Sequence, residues 1–147
     1  MPTIAYEDFV PGQVIQLGEI VVDEAEMLEF AKRFDPQPFH LDPEAAKESV
    51  LGGLCASGWY TSSLWMRSYV DRVLDGSTSQ GSPGCTELLW PKPVFPGDVL
   101  RSELEVLSAR LSKSRPGLGL VEMTGRAWRG EDLVMKTTFV GMFGTRG

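Results

Sequence analysis

The sequence predicts an α+β fold, an antiparallel β-sheet wrapped around one long central α-helix. Three observations carry this. Between Gly58 and Leu74, apolar residues cover most of the helical circumference, as in a helix enclosed on several sides. From Leu100 to Phe143 the hydrophobic period drops to two, the period of strands. Only one strand-like segment, Gln13 to Val22, precedes the helix, so most of the sheet must come from the chain after it.

The opening segment reads as an arm or turn that ends at Val10-Pro11-Gly12. After the first strand, Asp23 can cap a helix, with Glu26 placed to reach back to the cap. Met27, Leu28, Ala31 and Phe34 then follow helical spacing and define an inward face. Pro36 and Pro38 end this helix and favour extended backbone before them, which predicts a rigid, non-helical loop from Asp35 to Leu41. Asp42 suits the cap of a short helix from Pro43 to about Glu48. Gly52-Gly53 marks a bend before the long helix, and the Gly- and Ser-rich stretch from Gly76 to Gly84 reads as a mobile loop.

In the second half, Leu100, Leu104 and Val106 oppose Arg101, Glu103 and Glu105, and Val121, Met123 and Ala127 oppose Glu122, Thr124 and Arg126. Leu133, Met135, Phe139 and Phe143 continue the alternation. Arg129-Gly130-Glu131-Asp132 suits a tight turn between the last two strands. About four antiparallel strands therefore follow the helix, within a single domain over residues 1–147. Such a sheet leaves an edge, and pairing that edge across a two-fold axis gives a homodimer or higher homo-oligomer.

The chain is 147 residues long, with 42% hydrophobic and 23% charged residues, the composition of a globular domain. Its formal net charge of −6, with scattered Lys and Arg, argues against a nucleic-acid partner. Arg67, Asp71 and Arg72 interrupt the long apolar segment, which argues against a membrane span. The first residues resemble no secretory leader, so a cytoplasmic location is expected. Cys55 and Cys85 match no zinc spacing and read as two half-buried free thiols. No nucleotide-binding glycine motif and no metal cluster stands in the sequence.

Chemistry centres on His40, the single histidine, five residues after Asp35 across the proline-stiffened loop. A carboxylate and an imidazole can together hold one water and move its proton near neutral pH. By spacing alone, a turn-capping aspartate and a satisfied loop histidine stand beside that reading. Ala56-Ser57-Gly58 opens the long helix, whose first N–H groups lack partners and carry partial positive charge. A glycine there lets a carbonyl oxygen approach the backbone, although Ser57 and Gly58 equally well start a helix. Asp71, between Arg67 and Arg72, reads as a solvated or ion-paired helix end. Trp59, Trp65 and Tyr69 read as core.

Asp35-Pro36-Gln37-Pro38-Phe39-His40-Leu41-Asp42 resembles the signature Asp-x-Asn-Pro-aliphatic-His-x-Asp of the MaoC-like dehydratases and (R)-specific enoyl-CoA hydratases. Ala56-Ser57-Gly58 lies where that family has its oxyanion-hole glycine. The segments Pro91 to Leu100 and Gly130 to Val134 resemble its later strand starts. The resemblance implies a hotdog fold and reversible addition of water to a 2-enoyl thioester of acyl-CoA. Asp35 and His40 would activate the water and the Gly58 N–H would bind the thioester oxygen, with no metal or cofactor. Phe39, Ser57 and Trp59 would contact substrate.

Two residues depart from the signature, Gln37 for Asn and Phe39 for a smaller aliphatic. Met66 stands where the family often has a helix Ser that orients the aspartate, with Ser62 and Ser63 one turn earlier. The bulk of Phe39 and Trp59 points to a short or branched acyl group. The competing readings are a hotdog acyl-CoA thioesterase using a helix carboxylate such as Asp71, and a non-catalytic acyl-binding subunit.

Overall fold

The computed structural model describes residues 4–147; Met1 to Thr3 of the opening arm lie outside the described residues. Five strands form one antiparallel sheet: β1 (Val14–Val21), β2 (Gly84–Leu89), β3 (Val99–Leu111), β4 (Leu118–Arg129) and β5 (Asp132–Gly144). Their order across the sheet is β1-β3-β4-β5-β2, so β1 and β2 are its edges. Between β1 and β2 run α1 (Glu24–Phe34), α2 (Pro38–Leu41), α3 (Pro43–Lys47) and α4 (Gly58–Tyr69), and a π-helical turn (Val70–Leu74) prolongs α4. This is the hotdog arrangement, with α4 as the central helix. No helix among the described residues is long and apolar enough to cross a membrane.

The alternation read from the sequence sets which face of the sheet meets α4. Leu100, Leu104, Val106, Val121, Met123, Ala127, Met135, Phe139 and Phe143 are all buried. On α4, Tyr60, Leu64, Trp65 and Tyr69 point into this core. The close approach of helix to sheet depends on Gly125 in β4, because a Cβ there would overlap the Trp65 indole. The last hairpin turns through Gly130 at φ 59°, a left-handed conformation that glycine adopts without strain, and Arg129 pairs with Asp132 across it.

Several expectations need correction. Helix α4 is enclosed on one side only: Trp59 is 56% exposed and Met66 44%. Phe34 is 63% exposed, so the inward face of α1 consists of Met27 and Ala31 with partly buried flanks. Asp23 caps α1 by accepting from the Glu26 N–H at 3.0 Å, but the Glu26 carboxylate does not reach back. It accepts instead from the Tyr60 hydroxyl at 2.6 Å and ties α1 to α4. The segment from Gly76 to Gly84 is stitched to β5: Gln80 N–H donates to the Met142 carbonyl at 2.7 Å, Met142 N–H to Gly81 at 2.8 Å, and the Thr78 hydroxyl to Gly144 at 2.7 Å. Its small polar residues serve this ladder and not a free loop.

Gly125→Ala is expected to destabilise the fold by about 1–3 kcal/mol, the usual cost of overpacking a filled core. Thermal or urea unfolding checks this, and an unchanged midpoint would contradict the packing described.

Candidate active site

Asp35 is the residue on which α1 ends. Its N–H still donates to the Ala31 carbonyl at 2.9 Å, but its own backbone has left the helix, at φ −150° and ψ 64°. Pro36 has no N–H to continue the ladder. Gln37, before Pro38, is extended as expected, but the stretch from Asp35 to Leu41 is not the wholly non-helical loop predicted from sequence. Pro38 occupies the first turn of α2, where its missing N–H costs nothing and its fixed φ suits the helix. Two helix ends thus meet at Asp35 to Gln37, and the turn of α2 carries His40 back toward Asp35.

Cys55 fastens this turn from the other side. Its N–H donates to the Phe39 carbonyl at 3.3 Å, and its carbonyl oxygen lies 2.8 Å from His40 Nδ1. A carbonyl only accepts, so Nδ1 carries the hydrogen, and in the neutral ring Nε2 is left as an acceptor. His40 is 7% exposed and Nε2 faces Asp35 Oδ2 at 3.4 Å. The Cys55 thiol is buried and unpaired, while the Cys85 thiol is exposed and unpaired, so neither matches the half-buried expectation. Burial, with the negative charge of Asp35, pushes the Cys55 thiol above its ordinary range, which makes it a poor nucleophile.

The Asp35 carboxylate is divided between two tasks. Oδ1 accepts from Gln37 Nε2 at 2.6 Å, and Oδ2 faces His40. Burial works to raise its pKa, but the hydrogen bond from Gln37, the nearby Ser57 hydroxyl and, when it is protonated, His40 together lower it by more. The carboxyl is therefore held below its usual range and ionised at neutral pH.

Ser57 is wholly buried and does not line the cleft. Its hydroxyl caps α4 by accepting from the Trp59 N–H at 3.3 Å, and the same hydroxyl favours the charged form of Asp35. The serine that sequence reading placed against substrate thus stands behind the carboxylate. Neither Ser62 nor Ser63 takes the aspartate. Ser62 accepts from Trp90 Nε1 at 3.0 Å and Ser63 donates to the Trp59 carbonyl at 2.8 Å.

Gly58 is the first residue of α4, and among the described residues no acceptor faces its N–H. The Trp90 indole lies on its Cα, where a Cβ would overlap the ring. Trp90 was not singled out by sequence reading; its place before the stiff Pro91-Lys92-Pro93 run was the available signal. That run is held by Ala56 N–H to the Val94 carbonyl and Arg129 Nη1 to the Pro93 carbonyl, both at 2.8 Å.

Together these residues enclose a cleft of about 390 Å³ lined by Asp35, Phe39, His40, Gly58, Trp59 and Trp90, with Lys92 at its rim. Asp71 is elsewhere, on the π-helical turn, 56% exposed and paired with Arg67 at 3.1 Å.

An ionised carboxylate and an oriented imidazole thus face one cleft of a hotdog domain. The family profile described as "MaoC like domain" matches residues 8–124. The chain belongs to that family.

Among solved structures, a MaoC-like dehydratase from Rhodospirillum rubrum superposes with a TM-score of 0.90 at 37% identity, covering 98% of this chain and 99% of that one. The (R)-hydratase PhaJ1 from Pseudomonas aeruginosa superposes with a TM-score of 0.77 at 27% identity, covering 97% and 87%. A Bacillus subtilis (strain 168) protein, the uncharacterized YdeM, is 28% identical over 112 residues, 76% of this chain and 79% of its own length.

Gly58→Ala is expected to displace the Trp90 ring, since the aromatic system is no flexible side-chain end that can step aside. Tryptophan fluorescence should shift to the red and the melting temperature should fall; unchanged spectra and stability would show that Trp90 does not depend on this glycine.

Proposed function

We propose that this chain is an enoyl-CoA hydratase, working reversibly as a 3-hydroxyacyl-CoA dehydratase, with Asp35 and His40 as its catalytic pair. The observation that carries the reading is the Asp35 carboxylate, held ionised beside an imidazole whose hydrogen is fixed on the far nitrogen. Neighbours named as a MaoC-like dehydratase and an (R)-hydratase support the same class.

A water bridges Oδ2 of Asp35 and Nε2 of His40 from the cleft side, beside the 3.4 Å gap that separates them. It donates one hydrogen to the carboxylate and the other to the imidazole. Its oxygen attacks the β-carbon of the 2-enoyl thioester, and the electron pair of the double bond moves toward the thioester oxygen. Nε2 takes a proton from the water, Asp35 stabilises the resulting imidazolium, and the imidazolium returns the proton to the α-carbon. One water is added and the pair ends as it began. The Gly58 N–H, at the positive end of α4, faces the developing enolate oxygen. A donor of this kind is typically worth about 2.7–4 kcal/mol. Phe39 and Trp59 flank the acyl group, and Ser57 supports Asp35 from behind.

The unpaired outer edge of β2 supports a homodimer formed by edge pairing with a second copy. A thioesterase using Asp71 is disfavoured, because that carboxylate is solvated and neutralised by Arg67 outside the cleft.

Asp35→Asn and His40→Gln are each expected to lower hydration of crotonyl-CoA by about 10²–10⁴-fold, the usual worth of a general acid–base group. Loss of enoyl-thioester absorbance reads this; variants that keep full activity would exclude the pair. Because the mechanism also needs a neutral imidazole, Asp35 is read directly by carbon NMR titration of its carboxyl, whose midpoint is expected below the ordinary carboxylate range. Gln37→Ala removes a hydrogen bond to the charged form, so that midpoint should move to higher pH. A midpoint that stays in place would mean that Gln37 does not set this ionisation.

A further inference from the structure

The wall of the catalytic cleft carries a buried hydroxyl that the proposed reaction does not use. Thr61 lines the cleft and is 2% exposed. The wall around it is largely apolar, with Phe39, Ala56, Val94 and Val134. Thr61 follows Gly58 by one turn, so the two stand on the same side of α4.

A Ser or Thr inside a helix commonly turns its hydroxyl onto the carbonyl one turn back. Ser63 and Ser68 do so on this helix, to the Trp59 carbonyl at 2.8 Å and the Leu64 carbonyl at 3.3 Å. Thr61 does not. The carbonyl one turn before it, of Ser57, accepts from the N–H groups of Tyr60 at 3.0 Å and Thr61 at 3.1 Å. Among the described residues the Thr61 hydroxyl has no protein partner. Donors elsewhere on the cleft wall are already engaged: Gln37 Nε2 with Asp35, Trp90 Nε1 with Ser62, and Lys92 with Asp132 at 2.6 Å. An unpaired buried hydroxyl is unfavourable unless a group that enters the cleft completes it.

We infer that the Thr61 hydroxyl is a substrate-binding group that selects 2-enoyl thioesters bearing a hydroxyl on the carbon next to the double bond. This rests on the hydratase reading above and names the substrate class of the same site. Helix side chains lean toward the helix N-terminus, so the Thr61 side chain leans toward the turn that Gly58 opens. Side chains one turn apart lie roughly 5–6 Å from each other. A thioester oxygen held at the Gly58 N–H leaves its α- and β-carbons within that span, and the carbon that follows them falls beside Thr61. Charge decides the kind of oxygen. A carboxylate there would enter a cleft that already holds the ionised Asp35, and Lys92 at the rim is neutralised by Asp132. A hydroxyl brings no charge and meets Thr61 as donor or acceptor. Plain hydrocarbon in the same place leaves Thr61 unpaired.

The test compares kcat/KM for two thioesters of nearly equal size, 4-hydroxy-2-butenoyl-CoA and 2-pentenoyl-CoA, in which a methyl replaces the hydroxyl. The native chain should favour the hydroxylated thioester by about tenfold or more, the worth of a buried neutral hydrogen bond together with the unpaired group that its loss leaves. Thr61→Val keeps the shape of the side chain and removes its hydroxyl, so the preference should disappear or reverse. Thr61→Ser keeps the hydroxyl and should keep the preference.

A native chain that favours 2-pentenoyl-CoA overturns the inference, and so does a ratio that Thr61→Val leaves unchanged. The native ratio needs no variant, and a ratio taken within one protein cancels any loss of folded material. A native chain that is folded and inert on every thioester removes the hydratase reading along with the inference. Hydration of both thioesters without preference removes the inference alone.

Discussion

The hydrogen bond between His40 Nδ1 and the Cys55 carbonyl is the contact on which the site depends. It fixes the hydrogen on the nitrogen that faces away from Asp35 and leaves Nε2 as the acceptor a water needs. It also joins two parts of the chain that no secondary structure holds together, the single turn of α2 and the segment that enters α4. Without it the imidazole would rotate about its own bonds beside a charged carboxylate. With it, the distance from Nε2 to Oδ2 is set by backbone, through the paired bonds of Cys55 to Phe39 and His40.

The second constraint is the start of α4. Ser57 serves both halves of the site: it caps the helix whose first N–H is Gly58, and its hydroxyl favours the charged form of Asp35. A group that stabilises the charge on Asp35 therefore also places the proposed oxyanion donor. The exposed face of the same helix carries Trp59 and Met66, and the sheet behind it approaches closely enough to bury Trp65 because β4 has a glycine there. Packing, capping and the proposed chemistry converge on one helix.

Much of this was legible in the residues. The period-two alternation from Leu100 onward placed three strands and their inward faces, because side-chain period is the direct consequence of strand geometry. Asp35 and His40 stood out through their spacing across prolines, and the structure brings them to 3.4 Å. What failed has identifiable causes. Pro38 was read as a breaker although proline is also a helix starter, and the two uses look alike in sequence. The polar stretch from Gly76 to Gly84 reads as mobile in sequence because most of its bonds to β5 pair backbone groups, which composition does not reveal. Ser57 was assigned to substrate because sequence gives its position on the helix but not the direction of its hydroxyl. Trp90 was missed because its contact with Gly58 joins residues 32 positions apart, a proximity that only the folded sheet creates.

Turnover of crotonyl-CoA in water enriched with heavy oxygen separates addition of water to carbon from cleavage of the thioester in one mass spectrum. Hydration by Asp35 and His40 leaves a single heavy oxygen on the β-carbon of an intact hydroxyacyl thioester. Heavy oxygen in a released carboxylate, with free thiol alongside it, would contradict hydration and establish hydrolysis in its place.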